Sequence, residues 1–175
     1  MTKDDIVLLL EEKHQTLHNY LKNQDIDKWE SGPEGKWTTG QQALHLLQSY
    51  KILNNAMSMP KFFLKYKFGT NNREVRDYNK VTSRYIERLA DLPEGAEFRP
   101  SRNMKVPRNN DKPYILNRLQ VESKKLQHKT NKWKDKDLDN LIVPHPLMGK
   151  MPVREIVMWT AFHVEHHIKQ LEKNY

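Results

Sequence analysis

The 175-residue chain contains no cysteine. That excludes disulfides, thiolate metal ligands and a cysteine nucleophile, so a metal site must be built from His, Asp or Glu. Any thiol chemistry must use a thiol brought in from outside. Long apolar runs are also lacking: none approaches the ~20 residues of a membrane span. Ile6 to Leu10, behind the acidic Asp4 and Asp5, is too short a run for a signal peptide. A cytoplasmic protein with no membrane partner is the expectation. Sustained apolar–polar alternation is scarce, and Asn-Gly or Asp-Gly hairpin turns do not occur, which argues against a sheet-based fold. The net charge of +8, from 30 basic against 22 acidic residues, favours anionic partners. Nucleic acid is nevertheless disfavoured, because no binding signature appears and the basic residues are scattered among acidic ones.

What the sequence does have is helical periodicity, clearest from Pro152 to about Lys173. At 100° per residue, Val153, Ile156, Val157, Thr160, Val164, Ile168 and Leu171 form a core-facing stripe. His163 and His167 lie inside it, one turn apart on the same face. Arg154, Glu155, Glu165, His166, Lys169 and Gln170 fall mainly on other faces. Two imidazoles on a buried face cost free energy unless something binds them. A divalent metal ion would do so, since a rigid i,i+4 pair supplies two nitrogens that can converge at about 2.0–2.1 Å.

Earlier in the chain, Thr2 is placed to cap a first helix reaching about Asn23, with Asp4 and Asp5 suiting its positive end. It carries a rival i,i+4 pair, His14 and His18, read as one packed and one exposed ring. Asp25 to Lys36 reads as a loop. Thr38 followed by Gln41 matches a capping box, which starts a second helix running to about Met59, where Pro60 interrupts it. His45 sits at the flank of that helix's apolar face, where a side chain can reach sideways to a neighbour. Lys61 to Phe68 is an aromatic, basic segment, and the spacing predicts another helix over Asn72 to Asp91. Residues 92–112 form a long loop holding Arg99, Arg102, Lys105 and Arg108, suited to clamping a ligand's carboxylates or phosphates. A further helix runs from Pro113 to about Lys132. Lys132 to Asn140 then reads as a mixed-charge turn, and Val143 to Lys150 as a rigid loop feeding the last helix. The whole describes one domain over 1–175, all-α, an up-down four-helix bundle with a helical insert between helices 2 and 3.

Three stretches together resemble the DinB/YfiT-like superfamily: Trp37-Thr38-x-x-Gln41-x-x-Leu44-His45-Leu46, His145-Pro146-x-x-Gly149-Lys150, and Phe162-His163-Val164-Glu165-His166-His167. In that superfamily one histidine of helix 2 and two of the last helix bind a divalent metal, often zinc or nickel. The resemblance therefore implies His45, His163 and His167 as ligands, with His166 turned away. The Phe62–Asp91 insert and the basic loop match no motif. Family members of known activity are thiol-dependent, either transferases joining a low-molecular-weight thiol to an electrophile or a maleylpyruvate isomerase; others are grouped as metal-dependent hydrolases.

Three neutral imidazoles leave a coordination position open, as catalytic rather than structural zinc sites do. The resulting expectation is a metal-dependent thiol transferase or hydrolase acting on a small molecule, with a homodimer as the expected assembly. A non-catalytic metal- or ligand-binding bundle is the alternative. No general base stands out, since Glu165 faces away and His145 lies on a loop.

Overall fold

The computed structural model describes residues 1–93 and 103–175. Helix α1 (Lys3–Asn23) opens on a capping box: the Thr2 hydroxyl accepts from the Asp5 amide, and the Asp5 carboxylate accepts from the Thr2 amide. The segment expected to be loop contains one short helical turn, α2 (Asp27–Glu30), which buries Trp29. Trp29 lies so close to the start of α3 (Thr39–Ser58) that a Cβ at Gly40 would sit 2.8 Å from its carbonyl oxygen. Only glycine fits there. Thr38 and Gln41 cap α3 as the sequence predicts.

After Pro60 comes α4 (Lys61–Phe68), then α5 (Tyr78–Ala90). The latter begins six residues later than periodicity predicts. Residues 71–76 are drawn out of helical geometry because Asn71 bonds the carbonyls of Arg73 and Asp139, and Arg73 and Arg76 reach Glu155. Asp77 then caps the helix through the Lys80 amide. Helix α6 (Lys112–Lys132) has Pro113 in its first turn, as expected. The expected mixed-charge turn instead holds a short α7 (Asp135–Asn140).

The expected rigid loop is a β-hairpin, β1 (Ile142–His145) with β2 (Gly149–Pro152), antiparallel from Ile142↔Pro152 to His145↔Gly149. Prolines at 144 and 146 mask the strand signal. Three residues, 146–148, join the strands, and Gly149 follows them with φ +73°, the left-handed region that glycine adopts most readily. The chain ends in α8 (Val153–Asn174).

The long helices pack in pairs: α1 against α6 and α8, α3 against α6 and α8, with α5 laid on α8. All seven predicted stripe residues of α8 are buried. So, against expectation, are Arg154 and Glu155. Arg154 is held by Asp135 and Asp139, and Glu155 by Arg73 and Arg76, because α7 and the 71–76 segment cover the first turn of α8. Among the described residues no helix is long and apolar enough to cross a membrane.

Candidate metal centre

His45 lies in the second turn of α3, and α3 packs beside α8, so its ring meets the two histidines of α8. His163 Nε2 is 3.1 Å from His45 Nε2 and 3.1 Å from His167 Nε2. The three donor atoms all lie within 4.8 Å of one another. A metal ion at ~2.0–2.1 Å from two nitrogens, viewed at about 100–110°, leaves them ~3.1–3.4 Å apart. The spacing fits such an ion. Among the described residues this is the group of three or more His, Asp or Glu so arranged, and it holds no carboxylate.

Protonation also suits a cation. Burial, aided by the neighbouring His166, pushes His45 down to about 4. Burial and the surrounding rings hold His163 and His167 well below the usual histidine range. All three are therefore neutral at pH 7, the form that ligates metal. His167 Nδ1 donates to Gln42 Oε1 at 3.0 Å, which fixes the proton on Nδ1 and leaves the Nε2 lone pair facing the other rings. Gln42 is one turn before His45 on the same face of α3, a spacing legible in the sequence but not read as functional.

His163 is held differently. Its Nδ1 is buried without a hydrogen-bond partner among the described residues. Its ring instead stacks on Trp159, with centroids 4.4 Å apart and planes 20° apart. Trp159 in turn meets His145 edge to face at 4.2 Å. His145 is pinned by its own hairpin: Nδ1 accepts from the amides of Leu147 (3.1 Å) and Met148 (3.0 Å). His145 of the hairpin, Trp159 and His163 thus form a row of rings. Trp37 lies against both His45 and His167. Tyr85 of α5 stands edge-on to His145, Trp159, Phe162, His163 and His166, and its burial pushes the phenol up to about 12. Periodicity puts Tyr85 on the apolar face of its helix, but its place beside the histidines depends on where the insert folds.

The other expected site residues separate from this cluster. The rival pair stays apart: His14 is buried, His18 half-buried rather than exposed, and their centroids are 6.2 Å apart. His166 contacts Gln170 and lies outside the three-nitrogen cluster, as expected. Glu165 is tied to Lys13 and Lys169 on the outer side of α8. His145 has spent its Nδ1 lone pair on the hairpin, so it offers no base through that atom. Of the basic loop, Arg99 and Arg102 lie outside the described residues, while Lys105 and Arg108 are exposed. That segment passes the start of α3, where Gln41 donates to the Met104 carbonyl and Trp29 to the Arg108 carbonyl.

No curated protein and no solved structure matches the chain. Comparison with protein families matches the DinB superfamily over residues 5–171, a stretch that contains α3, most of α8 and all three histidines of the cluster. The chain belongs to the DinB superfamily.

Proposed function

We propose that the protein is a divalent-metal-dependent enzyme, a thiol S-transferase or a hydrolase, with His45, His163 and His167 as ligands of zinc or nickel. The observation that carries this reading is the convergence of three neutral Nε2 atoms from two helices with, among the described residues, no fourth His, Asp or Glu in the group. We read the four long helices as an up-down bundle in one domain that serves to hold those two helices in register. Bound there, the ion would supply Lewis acidity and lower the pKa of a thiol or water at its open position.

The chain's own residues set the conditions for that chemistry. Gln42 keeps the His167 proton away from the cluster, Trp159 holds the His163 ring, and Trp37 and Tyr85 add apolar surface beside the rings. With no cysteine in the chain, the sulfur in a transfer comes from a low-molecular-weight thiol. A sulfur–carbon bond forms to a small electrophile, the leaving group departs with its electron pair, and the S–H proton ends on that leaving group. Imidazole ligands accept several metals, so zinc and nickel are both to be tried.

The test is mass-spectrometric screening of zinc- and nickel-loaded protein against thiol and electrophile panels, and against ester and amide substrates, alongside His163→Ala. Turnover by the wild type that is lost in a variant still helical by circular dichroism supports the proposal. Equal turnover in His163→Ala overturns the assigned site, and no turnover at any metal loading overturns the enzyme reading and leaves a non-catalytic metal-binding protein.

A further inference from the structure

Helix α4 is a stretch of unusual sequence that the metal centre does not use. It reads KFFLKYKF; Leu64 is its one fully buried side chain, and Phe68 at its end packs half-buried against the core. On its outer side Phe62 is 75% exposed, Tyr66 88% and Phe63 39%. Phe62 and Tyr66 are i and i+4, so they project side by side. Lys65 and Lys67 are exposed beside them, and among the described residues neither has a carboxylate partner. Lys67 arches over the rings of Phe63 and Phe68. Lys61 lies over Trp133 and pairs with Asp137. Lys150 of the hairpin reaches the Phe68 carbonyl, and Lys134 and Lys136 are exposed either side of Asp135. The acids nearby are already engaged: Asp137 by Lys61, Asp135 and Asp139 by Arg154.

Protruding aromatic rings ringed by lysines suit one kind of partner best. A second copy of this chain, docked by two-fold symmetry, would set these lysines against their own counterparts. Lysine is also depleted at protein–protein interfaces. Single-stranded nucleic acid is bound in a charged groove that tracks its backbone, whereas α4 is a convex ridge. A planar anionic surface fits a ridge: aromatic rings settle at the headgroup level while lysine stems let the ammonium groups reach lipid phosphates. We infer that α4 is a peripheral docking element for anionic bilayer surfaces, with Phe62, Phe63 and Tyr66 entering the headgroup layer. The expectation of no membrane partner rested on the lack of a spanning segment, and a surface contact needs none.

The full-length protein is sedimented with phosphatidylcholine vesicles and with vesicles containing about one-third phosphatidylserine. Each lysine near the surface contributes roughly fivefold to partitioning. The expected result is binding to the anionic vesicles only, weakened by salt, and reduced by more than about tenfold in Lys65→Glu/Lys67→Glu. Phe62→Ala/Tyr66→Ala removes two exposed rings and leaves the core intact; it should lower binding by a similar factor while metal content stays unchanged. Absence of anionic-vesicle binding overturns the inference, as does equal binding by the wild type and both double variants. So does a Phe62- and Tyr66-dependent affinity for RNA or for a second copy of the chain without one for vesicles.

Discussion

Replacing Gln42 with Leu removes the acceptor of His167 Nδ1, at 3.0 Å, while keeping a side chain of similar volume in a buried position. The two states of the protein should respond differently. Without metal, the His167 ring can move its proton to Nε2 and offer it to His163, so little is lost. With metal, Nε2 must present its lone pair, the proton must stay on Nδ1, and that donor is then buried with nothing to bond. The unmet donor costs about 1–3 kcal/mol, which agrees with the 10–100-fold loss in metal affinity usual for such outer partners. Competition against a chromophoric chelator at neutral pH measures the affinity, and chemical denaturation of the metal-free protein measures stability. We expect Gln42→Leu to bind zinc 10–100-fold more weakly with less than about 1 kcal/mol change in metal-free stability. Gln42→Glu, whose carboxylate is a stronger acceptor, should bind at least as tightly as the wild type. An unchanged affinity in Gln42→Leu would refute the reasoning, as would a loss of metal-free stability as large as the loss of affinity.

Two further predictions concern the surrounding fold. Glu155 is fully buried and accepts from both arms of the Arg73 guanidinium (2.5 and 2.7 Å) and from the Arg76 amide (2.7 Å). Burial pushes its carboxyl up, but these bonds outweigh burial and hold it below the usual carboxylate range. Breaking a buried pair costs about 3–5 kcal/mol. The Arg73 and Arg76 side chains keep 30% and 26% of their surface in water, so Glu155→Ala should cost about 2–3 kcal/mol in a denaturant midpoint series; a loss under ~0.5 kcal/mol contradicts the account. His14 is buried with neither ring nitrogen hydrogen-bonded among the described residues, and burial pushes it down to about 4. A folded value below the unfolded 6.5 gives stability that is complete above pH 6.5 and lost as pH falls towards about 4. His14→Leu should therefore raise stability by about 1–3 kcal/mol and flatten its decline over that range, measured by denaturation at pH 7, 6 and 5. A destabilised His14→Leu, or an unaltered pH dependence, counts against it.

The long helices were legible because their signals are local. The capping residues Thr2, Thr38 and Gln41, the break at Pro60, and the stripe on α8 each act within a few residues. The histidine cluster was legible for a related reason: His163 and His167 share a face by periodicity alone, and His45 was added to them by family resemblance. What escaped the sequence depends on distant partners. The start of α5 is set by Arg73 and Arg76 reaching across to Glu155, which turns that residue of α8 inward, as Asp135 and Asp139 do Arg154. The hairpin hides behind two prolines and declares itself only through Gly149 and the His145 ring that accepts from the turn amides. Trp159 and Tyr85 gain their places at the site from packing between elements, which no periodicity encodes.

The central claim is that His45, His163 and His167 together bind one divalent ion. Elemental analysis of protein purified without chelator or histidine tag, then reconstituted with zinc or nickel, tests it directly. The account predicts one ion per chain for the wild type. It also predicts loss of that stoichiometric ion in His45→Ala, His163→Ala and His167→Ala, each still helical. Metal content that survives any one of these substitutions undiminished, or a wild-type chain that takes up neither ion, would contradict it.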